Sequence, residues 1–241
     1  MPTDSLSRKQ IILAGGTGGL GSAIATLLLQ EGALITMSFL RQEERAHQWN
    51  GRAAVVQADL TASSDRARLL DAAPSLYGVV ILTGDPARVT DASQFESAML
   101  QSHAVNYMGP ILLAREAADR MKAAATSGAI VLISTMQANA LFPGSTVYAA
   151  QKEALQHAAR ILAKECRGAG NIRVNVVSPG VTAAGMAEAS IASGKYDRFI
   201  KESIIPRFGH ADDIARAVRF FLEPDNYVTG QVLCVDGGIT L

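Results

Sequence analysis

A tyrosine and a lysine four residues apart, Tyr148 and Lys152, have the types and spacing needed for proton transfer. The surrounding sequence favours a helix, where a spacing of four residues places both side chains on one face. A free phenol titrates near pH ~10, which is too high for efficient proton exchange near neutrality. Because a nearby ammonium stabilises the phenolate and lowers the pKa of the phenol, such a pair can protonate a carbonyl oxygen or deprotonate an alcohol.

Two hydroxyl residues, Ser134 and Thr135, end an apolar run that precedes this helix. Successive side chains of a strand point to opposite faces, so we expect one hydroxyl to face the site and to donate to a substrate oxygen. The alternative is that both residues only end the strand. Asn106 lies within a long predicted helix, where asparagine is mildly unfavourable. Taken alone, it is better interpreted as an exposed or locally bonded polar residue.

A glycine-rich turn follows the first predicted strand and leads directly into a helix. Its glycines allow positive φ angles and let the backbone approach a pyrophosphate, which the free N–H groups of the helix N-terminus can bind. The alternative is an ordinary strand-to-helix turn, but the placement favours a dinucleotide site. The glycine spacing is G-x-x-x-G-x-G. We expect the turn residues that contact the cofactor to be Gly15, Thr17, Gly18, Gly19, Leu20 and Gly21.

The end of the second predicted strand indicates which dinucleotide is bound. An acid at this place would bind the ribose hydroxyls of NAD, whereas a nearby arginine accommodates the 2′-phosphate of NADP. No acid stands at this strand end and Arg41 is near, which favours NADP(H) and leaves NAD(H) possible. The alternative for Arg41 is a solvated position at the start of the next helix. Asp59, followed by Leu60, either accepts a hydrogen bond from the adenine amine or caps the following turn or helix.

These residues belong to an alternating pattern of short apolar runs and longer helical segments. Most of the runs are apolar on both faces, which predicts an α/β fold with a doubly wound, seven-stranded parallel sheet of Rossmann type, flanked by helices on both faces. We expect one domain over residues 1–241, with a substrate flap at about 183–205. The predicted strands are residues 10–14, 33–39, 53–57, 78–82, 129–134, 172–177 and 231–235, and the predicted helices are 20–30, 62–73, 93–125, 147–167 and 211–222.

The composition argues against several other classes of protein. The 22 basic and 22 acidic side chains balance, so the positive excess typical of a nucleic-acid binder is missing. No apolar run approaches the ~20 residues of a membrane span. The two cysteines, Cys166 and Cys234, do not suggest a disulfide framework or a metal site. We therefore expect a cytoplasmic protein with a small-molecule substrate, and no metal, membrane or nucleic-acid partner.

Taken in order along the chain, these motifs resemble those of the short-chain dehydrogenase/reductase family, and most closely its branch of 3-oxoacyl-acyl-carrier-protein reductases and related ketoreductases. The resemblance extends over nearly the whole chain. It implies an enzyme that interconverts a carbonyl and a secondary alcohol with NAD(P)(H), and a homodimer or homotetramer. The motifs are the glycine turn, Asn106, the Ser134–Thr135 strand end, Tyr148 with Lys152, Ser178-Pro179-Gly180 and Val235-Asp236-Gly237-Gly238.

The resemblance also implies a role for each catalytic residue. Tyr148 is the general acid/base, and Lys152 binds the nicotinamide ribose and lowers the pKa of Tyr148. Asn106 holds a water on a proton relay through Lys152. The hydroxyl that orients the substrate carbonyl is assigned to Thr135 in preference to Ser134, because the family's serine stands thirteen positions before its tyrosine. Further cofactor contacts are implied at Gly84, Pro179, Gly180 and Thr182.

Three positions depart from the family's usual pattern. The fourth strand ends in Ile81-Leu82-Thr83-Gly84 where the family often has Asn-Asn-Ala-Gly, so only the glycine matches. A threonine that contacts the nicotinamide amide is replaced by Ala184, with Thr182 as a possible substitute, and Gln151 stands where a serine is common. These departures support an alternative function, a weak or inactive NADP-binding sensor or scaffold protein.

The predicted flap carries both apolar and basic residues. The apolar side chains could meet an apolar substrate and the basic ones an acidic carrier, although a solvated helix face explains the basic residues better. The residues concerned are Met186, Ile191, Tyr196 and Phe199, with Lys195, Arg198 and Lys201.

Overall fold

The computed structural model describes residues 4–89, 91–168 and 170–241. These residues form one sheet of seven parallel strands in the order β3-β2-β1-β4-β5-β6-β7, which confirms the predicted doubly wound α/β fold. The strands are β1 Gln10–Ala14, β2 Leu34–Phe39, β3 Ala54–Gln57, β4 Leu76–Ile81, β5 Gly128–Ile133, β6 Ile172–Pro179 and β7 Val232–Val235.

Helices cover both faces of the sheet. Neighbouring strand residues point to opposite sides, so Ile12 packs with helices on one face while Ile11 and Leu13 pack on the other. The helices are α1 Gly19–Gln30, α2 Glu43–His47, α3 Ser63–Asp71, α4 Phe95–His103, α5 Gly109–Ala123, α6 Thr146–Glu165, α7 Glu188–Ala192, α8 Asp197–Lys201 and α9 Ala211–Leu222. Within the described ranges, none of them is both long and apolar enough to cross a bilayer.

The prediction of one continuous helix over residues 93–125 is wrong. Helices α4 and α5 are separated by a π-helical turn, Ala104–Met108, and a short 3₁₀ turn, Ala92–Gln94, precedes them. Pro110 has no N–H to donate to the carbonyl of Asn106, so the regular α-helical hydrogen bond cannot form there. The other predicted elements are present, with ends that differ by at most two residues.

Candidate active site

A cleft of about 700 Å³ lies at the carboxyl ends of the central strands. In a parallel sheet of this kind, this edge is where ligands bind. All the residues predicted from the sequence to bind cofactor line the cleft, and so do Thr135, Tyr148 and Lys152. Asn106 is fully buried beside it, and a Cβ added to Gly84 would lie 3.2 Å from the Asn106 Oδ1 atom.

Helix α6 carries Tyr148 and Lys152 one turn apart. Lys152 is 2% exposed, and its Nζ donates to the carbonyls of Ile133, at 3.0 Å, and Thr83, at 3.3 Å. Burial lowers the pKa of Lys152 from 10.5 to about 8. The ammonium is therefore held by the ends of β4 and β5 and is easier to deprotonate than a free lysine.

The pKa of Tyr148 differs from the expectation. Burial raises it from 10.0 to about 12, a hydrogen bond with the Thr135 side chain opposes that rise, and the charges of Tyr196 and Asp85 add to it. The pKa of the phenol therefore lies above that of a free tyrosine, whereas the sequence predicted a lower one. The phenol is accordingly protonated throughout the neutral range.

The two hydroxyls at the end of β5 have different surroundings. Thr135 contacts Tyr148, whereas Ser134 is buried, donates from Oγ to the carbonyl of Lys152 at 3.2 Å and accepts from the Gln156 amide at 3.0 Å. Ser134 therefore fastens helix α6 to β5, while Thr135 can reach a substrate oxygen. Its action on a substrate stays a prediction.

A buried polar network behind the site was missed by the sequence analysis. The Gln156 Nε2 atom also donates to the Asn139 Oδ1 at 3.1 Å, and the Asn139 amide donates to the Ser178 Oγ at 2.9 Å. Gln156 is 1% exposed and follows Lys152 by one helical turn. A polar residue on the apolar face of a helix was the available signal, because buried amides require partners.

Asn106 is buried and hydrogen-bonded on both ends of its amide, so of its two simple interpretations, exposed or locally bonded, the exposed one is wrong and the local bond is present. Its Oδ1 accepts from the backbone N–H of Asp85, and its Nδ2 donates to the Asp85 carbonyl and the Ser102 Oγ, each at 2.9 Å. Ser102 in turn donates to the carbonyl of Val147 at 2.9 Å. The Asn106 side chain therefore ties the loop after β4 to the helix layer that carries Tyr148.

The glycine turn is closed so tightly that side chains do not fit. A Cβ on Gly21 would lie 2.6 Å from the Gly16 Cα, and a Cβ on Gly19 would lie 2.9 Å from the backbone nitrogen of Gly185. Gly15 has a φ of +77°, and its N–H donates to the Ser38 Oγ at 2.9 Å. The bare backbone and the N-terminus of α1 fit a bound pyrophosphate.

At two other predicted cofactor positions the structure shows which contacts are already made within the chain. Asp59 accepts from the N–H of Thr61 at 2.9 Å and from its hydroxyl at 2.8 Å, which is the turn-capping arrangement. Arg41 is exposed, lies in the coil before α2 and lines the cleft. A 2′-phosphate could therefore reach Arg41, whereas Asp59 is already engaged by its own turn.

The flap residues fold into one 3₁₀ turn, Gly185–Ala187, and the helices α7 and α8. Of its apolar residues, Met186 and Tyr196 line the cleft, whereas Phe199 is buried in a small cluster that Ile191 packs against. Among its basic residues, Lys195 lines the cleft and Lys201 pairs with Asp197 at 3.4 Å. Of the flap residues considered, Met186, Lys195 and Tyr196 are therefore the ones that can meet a substrate in the cleft.

The chain is similar to a known protein family over nearly its whole length. A family model described as enoyl-(acyl carrier protein) reductase matches residues 14–240. A solved structure of a short chain dehydrogenase/reductase family protein is 32% identical, has a TM-score of 0.85, and covers 98% of this chain and 100% of its own. The chain belongs to the short-chain dehydrogenase/reductase family. Two relatives of this chain have names that state an oxidoreductase activity.

One such oxidoreductase is the "NADPH-dependent aldehyde reductase-like protein, chloroplastic" of Arabidopsis thaliana, which is 32% identical over 98% of this chain and 96% of its own. Another is the "2-(S)-hydroxypropyl-CoM dehydrogenase 3" of Xanthobacter autotrophicus, 32% identical over 99% of both chains. The short-chain dehydrogenase/reductase described here therefore aligns with these relatives over nearly their full lengths.

Proposed function

We propose that the protein reduces a carbonyl compound, or oxidises the corresponding secondary alcohol, with NADP(H) in preference to NAD(H). The observation that carries this proposal is that Thr135, Tyr148 and Lys152 line the same cleft as the glycine turn. The names of the relatives, an NADPH-dependent aldehyde reductase-like protein and a 2-(S)-hydroxypropyl-CoM dehydrogenase, support the same class of reaction.

The cofactor would lie along this cleft. The glycine turn and the N-terminus of α1 would hold the pyrophosphate, Arg41 the 2′-phosphate, and Lys152 the nicotinamide ribose, with Gly84, Leu60 and 179–182 as further walls. When bound, the nicotinamide supplies or accepts the hydride. Because a guanidinium can bind a phosphate through two parallel hydrogen bonds, Arg41 is the residue that would favour NADP over NAD.

Tyr148 would donate the proton to the carbonyl oxygen during reduction. Its pKa of about 12 keeps the phenol protonated at neutral pH, which is the state needed for donation. Thr135 lies beside Tyr148 in the cleft and would hold the substrate oxygen against the phenol. In the oxidative direction the same two side chains would bind the alcohol, and the ionised phenol of Tyr148 would take its proton.

Lys152 would replace the proton that Tyr148 gives up. Its pKa of about 8 lies close to neutrality, so its ammonium can both hold and release a proton there. The Asn106 side chain already donates both of its amide hydrogens, to Asp85 and Ser102, and its Oδ1 accepts from Asp85. The Asn106 carbonyl, which receives no bond from Pro110, is therefore the group that would hold the relay water.

A paired titration with NADPH and NADH, followed by a turnover assay over aldehydes, ketones and alcohols, tests this proposal. We expect tighter binding of NADPH, loss of that preference in Arg41→Ser, and reduction of at least some carbonyl compounds. Tighter binding of NADH would overturn the Arg41 argument. Tight NADPH binding with no turnover on any substrate would favour the sensor or scaffold alternative, which the departure at Thr83 supports.

We also propose that the protein forms a homodimer or homotetramer in the cytoplasm, as one domain. Large apolar side chains are exposed along the helix layer that contains α4 and α6, which supports the oligomer. The cysteines Cys166 and Cys234 are free, which fits the reducing cytoplasm. Light scattering that gives the mass of a monomer would contradict the oligomer. The exposed side chains are Phe95, Met99, Leu100, Met108 and Ile161.

A further inference from the structure

Four basic side chains line the cleft and form no ion pair within the described ranges of the chain: Arg41 and Lys152, which the proposed function assigns to the cofactor, and Arg88 and Lys195. Arg88 lies in the loop after β4, and its Nη2 donates to the Ser190 Oγ on α7 at 3.2 Å. Lys195 lies between α7 and α8, with its Nζ 5.6 Å from the centre of the Tyr196 ring. Other basic residues of this protein do pair with carboxylates, among them Arg66, Arg115, Arg120, Arg207 and Arg216.

Both cations adjoin the catalytic end of the cleft. The loop that carries Arg88 begins at Gly84, whose Cα faces Lys152: an added Cβ would lie 3.5 Å from the Lys152 Nζ. Tyr196, the neighbour of Lys195, lies close enough to Tyr148 to influence its phenol electrostatically. Arg88 and Lys195 therefore line the same cleft as Tyr148 and Lys152, within reach of a substrate bound there.

We propose that Arg88 and Lys195 bind an oxyanion group, a carboxylate or a phosphate, on the carbonyl substrate. This inference rests on the proposed function. A guanidinium has five N–H donors, and the bond to Ser190 uses one of them while fixing the orientation of the group. The remaining donors and the Lys195 ammonium provide a site for an anion, to which charge-assisted hydrogen bonds are stronger than neutral ones.

The anion must lie away from the reacting carbonyl. Asp85 is half-buried, lines the cleft and lies near Tyr148, and its Oδ1 accepts from the Ala87 N–H at 2.7 Å. Its carboxylate would repel a charge placed directly beside the carbonyl. Apolar side chains of the cleft, Phe142 and Met186, can pack against a hydrocarbon spacer between the two groups. The substrate class is a carbonyl compound with a remote oxyanion.

Steady-state rates with matched ketones test this assignment. We expect kcat/KM for 4-oxopentanoate to exceed that for its methyl ester and for 2-oxopentanoate by about tenfold, through KM. The ratio of kcat/KM for dihydroxyacetone phosphate to that for dihydroxyacetone measures the gain from a phosphate. If this ratio exceeds the acid-to-ester ratio, a phosphate is preferred over a carboxylate. Arg88→Gln should raise KM for the charged ketones about five- to tenfold and leave the ester unchanged, with a smaller effect for Lys195→Gln. The control is Arg160→Gln, at an exposed arginine outside the cleft lining.

Equal kcat/KM values for charged and neutral ketones would overturn the inference. So would an Arg88→Gln variant that weakens NADPH binding without changing the ratio of acid to ester, because Arg88 would then serve the cofactor. If no ketone is turned over, the proposed function fails, and the anion site is decided by binding. Pentanoate should then raise the Tm of the NADP⁺-saturated wild type and not that of Arg88→Gln, and the absence of that difference would overturn the site.

Discussion

The buried ammonium of Lys152 should cost stability at neutral pH, and Lys152→Met should recover part of that cost. The pKa of Lys152 falls from 10.5 to about 8 on folding, and at 1.36 kcal/mol per pH unit this corresponds to about 3 kcal/mol. Methionine keeps the length of the side chain but loses the bonds to the carbonyls of Ile133 and Thr83, each with a net contribution of about 1 kcal/mol. The variant should therefore be about 1 kcal/mol more stable at pH 7, or about 2–4 °C in Tm.

The pH dependence makes this prediction specific. Because the pKa is lowered in the folded state, the penalty is complete below pH 8 and absent above pH 10.5. The advantage of Lys152→Met should shrink through this window and reverse near pH 9, where the remaining penalty falls below the roughly 2 kcal/mol of the two hydrogen bonds that the wild type keeps. Urea unfolding at pH 7, 8, 9 and 10 measures the difference, with Lys164→Met, at an exposed lysine of the same helix, as control. A variant less stable than wild type at pH 7, or a difference independent of pH, would refute the reasoning.

Two further substitutions test the glycine turn and the buried network. Gly21→Ala places a Cβ 2.6 Å from the Gly16 Cα and should destabilise the protein by about 1–3 kcal/mol in urea unfolding, whereas Gly18→Ala, whose nearest atom is at 3.8 Å, should be much less harmful. Gln156→Met removes the donors to Ser134 and Asn139 and should cost about 1–3 kcal/mol. It should also lower kcat while the Kd for NADPH is retained; an unchanged kcat would show that the network does not position the catalytic residues.

The fold could be predicted from the sequence because its signals are local. Short apolar runs that alternate with helical segments specify a parallel sheet covered on both faces. The glycine turn marks the end of β1 as the place where a dinucleotide would bind. The break in the helix around Asn106 was not predicted, although Pro110 carries the signal: a proline removes the N–H on which the carbonyl four residues earlier depends.

The environment of the site residues could be predicted less well. The alternation of a strand shows that Ser134 and Thr135 face opposite ways but not which one faces the cleft, and Gln156, which settles the direction of Ser134, comes from a different element. The raised pKa of Tyr148 depends on burial by several elements, which spacing along one helix cannot show. The position of Arg88 in the cleft could not be predicted, because only the fold brings its loop against α7.

Replacement of Tyr148 by phenylalanine tests the central claim most directly, because it removes the phenolic proton and keeps the ring. The measurement is kcat for ketone reduction with saturating NADPH, together with the Kd for NADPH of both proteins. With Tyr148 as the proton donor, kcat should fall by at least ~10²-fold while the Kd stays within about twofold. A kcat close to that of the wild type would remove Tyr148 from the mechanism and contradict the proposed reaction.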